Sequence, residues 1–232
     1  MQSGASGVQS VAEKLMFRDR RDAGQRLAQR LTAYADRKDA MVFGLPRGGV
    51  PVAFEIAQAL HLPLDVLLVR KLGAPGQPEL AMGAIAAGGI KVLDYALIRQ
   101  IGITEQELAA VIAREEEELR RREEMFGSRQ SALRLAAMQV IVVDDGIATG
   151  SSMQAAIQVL QAHQPAKIVV AAPVAPPHAR SEMEAVAEFV CLKVSDYFPA
   201  VGLFYRDFSQ VEDEEVRSLL ALSAQRDAER HS

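Results

Sequence analysis

The chain has 232 residues, of which 49% are hydrophobic and 24% are charged. This length fits one compact domain, with or without a small cap, and the composition is typical of globular rather than disordered proteins. Lysine and arginine number 26 against 30 acids, so the net charge is −4. Nonspecific binding to nucleic acid needs a dense positive field, so this balance argues against it. A local basic pocket for a small anion remains compatible with the composition.

The sequence carries few signs of an oxidising or membrane environment. Cys191 is the single cysteine, so neither an internal disulfide nor a structural zinc site is expected. Residues 1–14 lack the basic and apolar regions of a secretory signal. The charge-free run over 146–166 is broken by Gly, Ser, Gln and His, so we expect no membrane span there. These features predict a cytoplasmic protein.

The first half of the chain begins with small and polar residues over 1–15, which predict a flexible tail. Apolar residues at helical spacing then predict a helix over 19–38. A short apolar run over 40–45 predicts a buried strand. A helix over 50–60 and a second buried strand over 64–69 follow.

A segment rich in Gly, Ala and Pro and a long charged helix come next. Residues 72–90 show no clean period, which predicts a flexible loop of functional length. Thr104 and Glu107 have capping-box spacing and open a helix predicted over 104–126. Three i,i+4 pairs are expected on it, namely Glu116–Arg120, Glu117–Arg121 and Glu118–Arg122. The charge run is typical of a solvated helix face, and a partner surface is the alternative.

The second half alternates strands and helices. Buried strands are predicted over 139–143, 167–172 and 189–194. Helices are predicted between them, around 153–160 and over 178–187.

Ser209 and Glu212 again have capping-box spacing, which predicts a C-terminal helix through Leu222. Residues 224–232 are expected to fray, so the predicted domain spans 16–223. Strands that alternate with helices, each a near-continuous apolar run, predict an α/β fold with a parallel sheet flanked by helices. Ligands of such sheets bind at the carboxyl ends of the strands.

One strand end carries the most informative residues of the chain. The strand over 139–143 ends in two acids, Asp144 and Asp145. Small and hydroxylated residues then lead into a helix, namely Gly146, Ala148, Thr149, Gly150, Ser151 and Ser152. Backbone N–H groups of such a loop, together with the positive end of the helix, suit a phosphate. The acids would repel a phosphate but suit the vicinal hydroxyls of a sugar, so the segment predicts a site for a ribose 5-phosphate.

This segment resembles the phosphoribosyl pyrophosphate motif of the type I phosphoribosyltransferase family. The chain as a whole resembles stand-alone bacterial proteins built on that domain. A strand–loop–helix corner would explain the hydroxyls but not the double acid. A receiver-type acidic pair would need a further strand-end Asp and a later Lys, and Lys167 lies at the wrong end of its strand. Family members of the hypoxanthine/guanine branch often carry an acid where this chain has Ala148, so the loop is more similar to the adenine and orotate branches.

The resemblance implies roles for two further loops. Arg47, Gly48 and Gly49 match a short loop that holds pyrophosphate through backbone N–H groups, and the family's cis peptide falls at Pro46–Arg47. The two glycines permit positive φ and close approach of the backbone. Lys71, with Arg70, is expected to reach the pyrophosphate when the loop over 72–90 closes.

Two assignments near these loops stay open. Glu79 is either a solvated acid or a contact for the base. The aromatic-rich segment over 195–210 matches the family's small hood for the nucleobase. Tyr197 and Phe198 are its candidate base contacts, and packing against the C-terminal helix is the alternative.

The resemblance implies transfer of the 5-phosphoribosyl group from phosphoribosyl pyrophosphate to a nitrogenous base or related acceptor, with release of pyrophosphate. Asp144, Asp145, Lys71 and Arg47 would be the catalytic residues. Mg²⁺ would be held mainly by substrate oxygens and water, with the two acids contacting it through water. We expect a homodimer, and neither nucleic acid nor a membrane as a partner. A non-catalytic sensor of phosphoribosyl pyrophosphate or a nucleotide is the alternative, and the sequence does not identify the acceptor.

Overall fold

The computed structural model of the protein describes residues 16–127 and 135–230. The expected tail over 1–15 lies outside them. The strands are β1 (Ala40–Gly44), β2 (Leu64–Val66), β3 (Val69–Ala74), β4 (Gln77–Ala86), β5 (Ile90–Leu93), β6 (Gln139–Val143), β7 (Lys167–Ala175) and β8 (Glu188–Val194). The α-helices are α1 (Arg20–Ala28), α2 (Gly49–Leu60), α3 (Tyr95–Gln100), α4 (Glu105–Phe126), α5 (Ser151–Ala162), α6 (Pro177–Glu184) and α7 (Asp213–Arg230).

Five strands form one parallel sheet in the order β2–β1–β6–β7–β8. At its centre, β1 and β6 pair from Ala40 opposite Gln139 to Gly44 opposite Val143. Every residue of β1 is buried, as expected for a strand covered on both faces. The predicted fold class, an α/β architecture with a parallel sheet flanked by helices, is confirmed.

Helices cover both faces of this sheet because successive side chains of a strand point to opposite sides. Val140 and Val142 of β6 pack in one core with residues of α5 and α6. Ile141 and Val143 pack in a second core with residues of α1 and α2. The carboxyl edge between these two layers is therefore left to loops, which is where ligands of such folds bind.

The segment over 72–90 is a β-hairpin with a third strand rather than the predicted loop. Strands β3, β4 and β5 pair antiparallel in a separate sheet. The register shifts beside Gly73, where an added Cβ would lie 2.5 Å from a backbone oxygen of β4. Glycine and alanine have low strand propensity, which is why the composition suggested a loop. Packing of Ala84 and Ala86 against Ala155 of α5 overrides that propensity.

Helix α4 begins as predicted. The Thr104 hydroxyl accepts the Glu107 N–H at 3.2 Å, and the Glu107 carboxylate accepts the Thr104 N–H at 2.9 Å, so the capping box is confirmed. Of the three expected i,i+4 pairs, only Glu118–Arg122 forms. The other charges pair as Glu117–Arg120, Arg120–Glu124, Glu118–Arg121 and Lys91–Glu116. The helix is not wholly solvated, because Glu115 is buried on its inner face.

The C-terminal helix is displaced and longer than predicted. It begins at Asp213, and the backbone N–H of Ser209 instead donates to the side chain of Asp207 at 2.9 Å. Residues 224–230, expected to fray, continue this helix. Arg230 anchors its end by donating to the His61 carbonyl at 2.6 Å. Long-range contacts of this kind are invisible to local patterns. Across 16–127 and 135–230, no helix is long and apolar enough to cross a membrane.

Candidate active site

The loops after β1 and β6 meet because these strands are neighbours in the parallel sheet. An added Cβ on Gly49 would lie 2.5 Å from the Val143 carbonyl oxygen, and one on Gly48 would collide with the Asp145 carboxylate. Only glycine at these two positions therefore allows the loop after β1 to approach the loop after β6 this closely. Gly48 has φ −62, so close approach rather than positive φ explains this glycine. The Pro46–Arg47 peptide bond is cis, as the resemblance implies.

The loop before α5 has the features of an anion cradle. Gly150 precedes the helix with φ +76, a conformation that suits glycine. The Thr149 and Ser151 hydroxyls lie 3.2 Å apart, and the Ser151 N–H approaches the Thr149 hydroxyl at 3.4 Å. Thr149 and Ser152 are exposed, so both hydroxyls remain accessible to a ligand. The first N–H groups of a helix also lack intrahelical partners, which makes this end a natural anion site.

The two acids after β6 differ in their surroundings. Asp145 forms an ion pair with Arg20 at 2.8 Å, and both side chains are largely buried. Asp144 accepts the Asp145 backbone N–H at 2.8 Å. Burial, and then the charge of Asp145, raise the pKa of Asp144 well above its usual value. The Tyr205 hydroxyl donates to the Asp145 carbonyl at 2.5 Å, and burial raises the pKa of this tyrosine.

A cavity of about 720 Å³ opens beside the loop before α5. It brings together residues from four parts of the chain, the β1 loop, the β3–β4 hairpin, α4 and the start of α5 with the loop before it. Its polar lining includes Arg70, Lys71, Glu79, Arg114, Glu115, Arg122, Thr149, Ser151 and Ser152. Arg47, Asp144 and Asp145 are not among the described residues that line this cavity. The Arg47 guanidinium lies 3.8 Å from the Asp213 carboxylate, and Asp145 forms its ion pair with Arg20.

Arg70 and Lys71 border the cavity with different partners. Alternation along β3 sends neighbouring side chains to opposite faces. Arg70 meets Glu115 of α4 at 2.6 Å, whereas Lys71 meets Glu79 of the hairpin at 3.1 Å. The Glu79 side chain is 86% exposed, so it is a solvated acid in this structure. Lys71 lies in the lining of the cavity, and its expected contact with the pyrophosphate stays a prediction.

The segment over 195–210 packs over the carboxyl edge of the sheet. Val201 fills the space where a side chain on Gly146 would lie. Phe198 stacks on Phe204 with ring centroids 5.1 Å apart, so it belongs to an aromatic cluster. Tyr197 is 79% exposed. Neither Tyr197 nor Phe198 lines the cavity within the described part of the chain. Their role as base contacts stays a prediction.

The profile of the phosphoribosyl transferase domain matches residues 18–202. The chain belongs to the phosphoribosyl transferase domain family. Two Mycobacterium tuberculosis proteins, from strains CDC 1551 / Oshkosh and H37Rv, are named as candidate phosphoribosyl transferases. Each is 47% identical over 206 residues, which cover 88% of this chain and 46% of the relative. The chain thus spans about half the length of these relatives.

One solved structure is similar to this chain over nearly the whole length of the solved chain. The crystal structure of the protein TT1426 from Thermus thermophilus has 45% sequence identity to the chain and a TM-score of 0.80. The match covers 88% of this chain and 97% of that one. The fold of this chain is therefore shared with an experimental structure.

Sequence reasoning missed several charged residues of this phosphoribosyltransferase domain. Arg20 lies in a helix predicted only from its apolar positions, and nothing local links it to Asp145, 125 residues away. Glu115 and Arg114 lie within the charge run of α4. The spacing of Val111, Glu115 and Leu119, which share the inner face, would have marked this glutamate as buried.

The described residues contain no group of three or more His, Cys, Asp or Glu side chains placed to hold a metal ion. Mg²⁺ commonly binds through one or two carboxylates, substrate phosphates and several waters, so a complete protein cage is not required. Asp144 and Asp145 fit such a partial site, because two adjacent carboxylates gain from a nearby cation.

Proposed function

We propose that this chain is a phosphoribosyltransferase that moves the 5-phosphoribosyl group from phosphoribosyl pyrophosphate to a nitrogenous base or related acceptor and releases pyrophosphate. One observation carries the proposal. The hydroxyls of the α5 loop and the Lys71 ammonium line one cavity, directly beside an acid pair and a glycine-rich loop. This arrangement offers separate places for a phosphate, a ribose and a pyrophosphate.

The α5 loop would anchor the 5-phosphate. Ala148, Thr149, Gly150, Ser151 and Ser152 would supply hydroxyls and backbone N–H groups at a positive helix end. This phosphate takes no part in the bond change at C1 of the ribose. Its binding energy therefore serves to position C1 for reaction.

Asp144 and Asp145 would accept hydrogen bonds from the ribose hydroxyls. The reaction builds positive charge on the ribose ring as pyrophosphate departs, so nearby carboxylates also stabilise that charge. For Asp145 to take this role, its ion pair with Arg20 must be shared or exchanged when the substrate binds. Arg20 would then hold this carboxylate in place between turnovers.

Lys71, Arg47 and the backbone of Gly48 and Gly49 would stabilise the leaving pyrophosphate. Lys71 must exchange Glu79 for the substrate, and this exposed ion pair contributes little to stability. Asp144 and Asp145 would hold Mg²⁺ through water, and the ion, when bound with the substrate, would neutralise part of the pyrophosphate charge. Movement of the hairpin over the site would exclude water from the activated sugar.

Calorimetric titration with phosphoribosyl pyrophosphate, with and without Mg²⁺, tests this proposal. We expect Mg²⁺-dependent binding, and pyrophosphate release with one member of a panel of purine and pyrimidine bases. The double variant Asp144→Asn/Asp145→Asn should lose turnover by more than about 100-fold, since its ribose contacts are gone. Asp39→Asn, which changes a half-exposed acid just before β1, is the matched control and should keep the full rate.

A sensor of phosphoribosyl pyrophosphate or a nucleotide is the second candidate. The observation that favours it is that Asp145 and Lys71 are both held by internal partners. Mg²⁺-dependent binding without pyrophosphate release from any base would support the sensor and contradict the enzyme. Absence of binding at millimolar ligand would contradict both. The homodimer expected for this domain stays a prediction.

A further inference from the structure

Asp145 is held at three of its groups, and two of its partners lie far from it in the chain. Its backbone N–H donates to Asp144 at 2.8 Å, within the loop after β6. Its carbonyl accepts the Tyr205 hydroxyl at 2.5 Å, and its carboxylate accepts Nε of Arg20 at 2.8 Å. Arg20 begins α1, and Tyr205 lies in the aromatic-rich segment over 195–210. These two partners therefore fix both the backbone and the carboxylate of Asp145.

Arg20 joins this acid to the aromatic-rich segment. Its side chain is 11% exposed. While Nε donates to Asp145, Nη1 donates to the Ser209 carbonyl at 2.7 Å, and the guanidinium carbon lies 3.9 Å from the centre of the Phe208 ring. A planar guanidinium has several donors and two faces, so it can bind a carboxylate, a carbonyl and a ring at the same time. The place of the Asp145 carboxylate thus depends on where the aromatic-rich segment packs.

The aromatic-rich segment is itself fixed to the body of the domain. The Phe17 N–H donates to the Phe204 carbonyl at 2.9 Å, and the Arg206 N–H donates to the Phe17 carbonyl at 2.9 Å. The Tyr205 ring centre lies 5.3 Å from that of Phe17 and 5.0 Å from that of Phe208. Both the Tyr205 hydroxyl and the Arg20 guanidinium are therefore held in position by packing, as groups that orient a binding residue must be.

These partners contact the acid and not the cavity. Arg20, Tyr205, Phe208 and Ser209 are not among the described residues that line the cavity. The Asp145 carboxylate also packs against the loop after β1, since an added Cβ on Gly48 would lie 2.0 Å from its Oδ2. The hydrogen bond from Arg20 reaches this same oxygen. Oδ1 can therefore accept a further hydrogen bond while the ion pair is kept.

We propose that Arg20 and Tyr205 are positioning residues, through which the packing of the aromatic-rich segment sets the place of Asp145 for a ribose. The inference rests on the proposed function, because it requires that Asp145 contacts the ribose hydroxyls. It goes beyond that function by giving the aromatic-rich segment an effect on the site that needs no contact between its rings and a base.

Ribose 5-phosphate and inorganic phosphate are the two probes of this role. Both can bind at the loop before α5, but only the sugar phosphate reaches the acids. Titrations are followed by NMR at the backbone N–H signals of Ser151 and Ser152. We expect the wild type to bind ribose 5-phosphate about tenfold more tightly than phosphate, since hydrogen bonds to a carboxylate are added.

Tyr205→Phe and Arg20→Lys are the informative variants. The first removes only the hydroxyl that binds the Asp145 carbonyl. The second keeps the positive charge, but one ammonium cannot replace the several contacts of the guanidinium. Each should lower the affinity for ribose 5-phosphate by about five- to tenfold and leave the affinity for phosphate within about twofold, because only the acid is displaced.

Two matched variants control for the loss of a buried hydroxyl and of a guanidinium. Tyr34→Phe removes a tyrosine hydroxyl that donates to Glu188 at 3.1 Å. Arg26→Lys changes an arginine of α1 that pairs with Asp22 at 2.8 Å and lies 5.5 Å from the centre of the Phe17 ring. Both controls should keep the wild-type ratio of the two affinities. Thermal unfolding is measured for all four variants, because a purely structural effect lowers Tm without changing that ratio.

An unchanged ratio in both Tyr205→Phe and Arg20→Lys would overturn the positioning role and leave the proposed function standing. Equal loss of both affinities in these variants would also overturn it, since the whole loop would then be disturbed. Failure of the proposed function shows in the wild type instead. A wild type that binds ribose 5-phosphate no more tightly than phosphate would contradict the ribose contact of the acids, and this inference with it.

Discussion

Asp144 is an acid whose position costs stability in the absence of a ligand. Its pKa is raised by burial and by the Asp145 charge, so the folded chain holds the proton more tightly than the unfolded chain does. The stabilisation of the fold by this proton is present in full below the pKa of the unfolded chain, near 4. It is lost as the pH rises through the higher pKa of Asp144 in the folded chain. Once the pH has risen through that folded value, the ionised side chain destabilises the fold, which is typical of a residue kept for binding.

Asp144→Asn should for this reason stabilise the free protein at pH 7.5 while removing a ribose contact. The amide oxygen still accepts the Asp145 N–H, and no carboxyl with a raised pKa remains to ionise. We expect a rise in Tm of about 2–4 °C for a stabilisation near 1 kcal/mol. The gain should shrink as the pH is lowered toward 4, and thermal unfolding at both pH values measures it.

Asp145→Asn is the matched control. Burial raises the pKa of Asp145 too, but its carboxylate is paired with Arg20 at 2.8 Å, so the substitution leaves an arginine without its partner and should lower Tm. Equal destabilisation by both substitutions would show that Asp144 is a structural acid, and the argument for a binding role would fail.

Among the elements, the hairpin of β3 and β4 is held against α5 by small side chains. Ala84, Ala86 and Ala155 are buried there together with Val159. This contact sets the distance between Lys71 on β3 and the hydroxyls at the start of α5. Because cores are closely packed, a larger side chain at this contact must move one element relative to the other.

Ala155→Leu is expected to separate the hairpin from α5. It should lower stability by about 1–3 kcal/mol through overpacking and weaken binding of phosphoribosyl pyrophosphate. Ala162→Leu, at an exposed position of the same helix, controls for the added side chain. Denaturant unfolding and calorimetry measure the two effects. A loss of stability with unchanged affinity would show that the hairpin does not position Lys71.

On the scale of the whole molecule, the sequence predicts those features of the fold and the site that depend on local patterns of residues. The near-continuous apolar strands predicted the parallel sheet, and the Thr104–Glu107 spacing predicted the start of α4. The motif after β6 placed the hydroxyls of its loop beside the cavity. These features are encoded within a few residues of one another, so a pattern can report them.

Features that depend on distant partners were not predictable. Alanine and glycine over 72–90 suggested a loop, and only their packing against α5 makes them strands. Arg20 and Asp145 meet because α1, which begins at Arg20, packs against the central sheet beside the loop after β6. The length of α7 likewise depends on contacts with residues that lie far back in the chain.

Those contacts lead to a last prediction, for the end of α7. Arg230 donates to the His61 carbonyl and to Asp36 at 3.1 Å, and the Arg226 guanidinium lies 5.4 Å from the centre of the Phe54 ring. The last turns of the helix thus join α2 and the loop before β1. Truncation after Ser223 removes all three contacts and should lower Tm by about 3–12 °C, since each costs on the order of 0.5–1 kcal/mol. Arg230→Ala alone should give part of this loss, because it removes only the hydrogen bonds to His61 and Asp36. An unchanged Tm in the truncated chain would mean that residues 224–230 fray in solution, as the sequence alone suggested, and that α7 is held by its first turns.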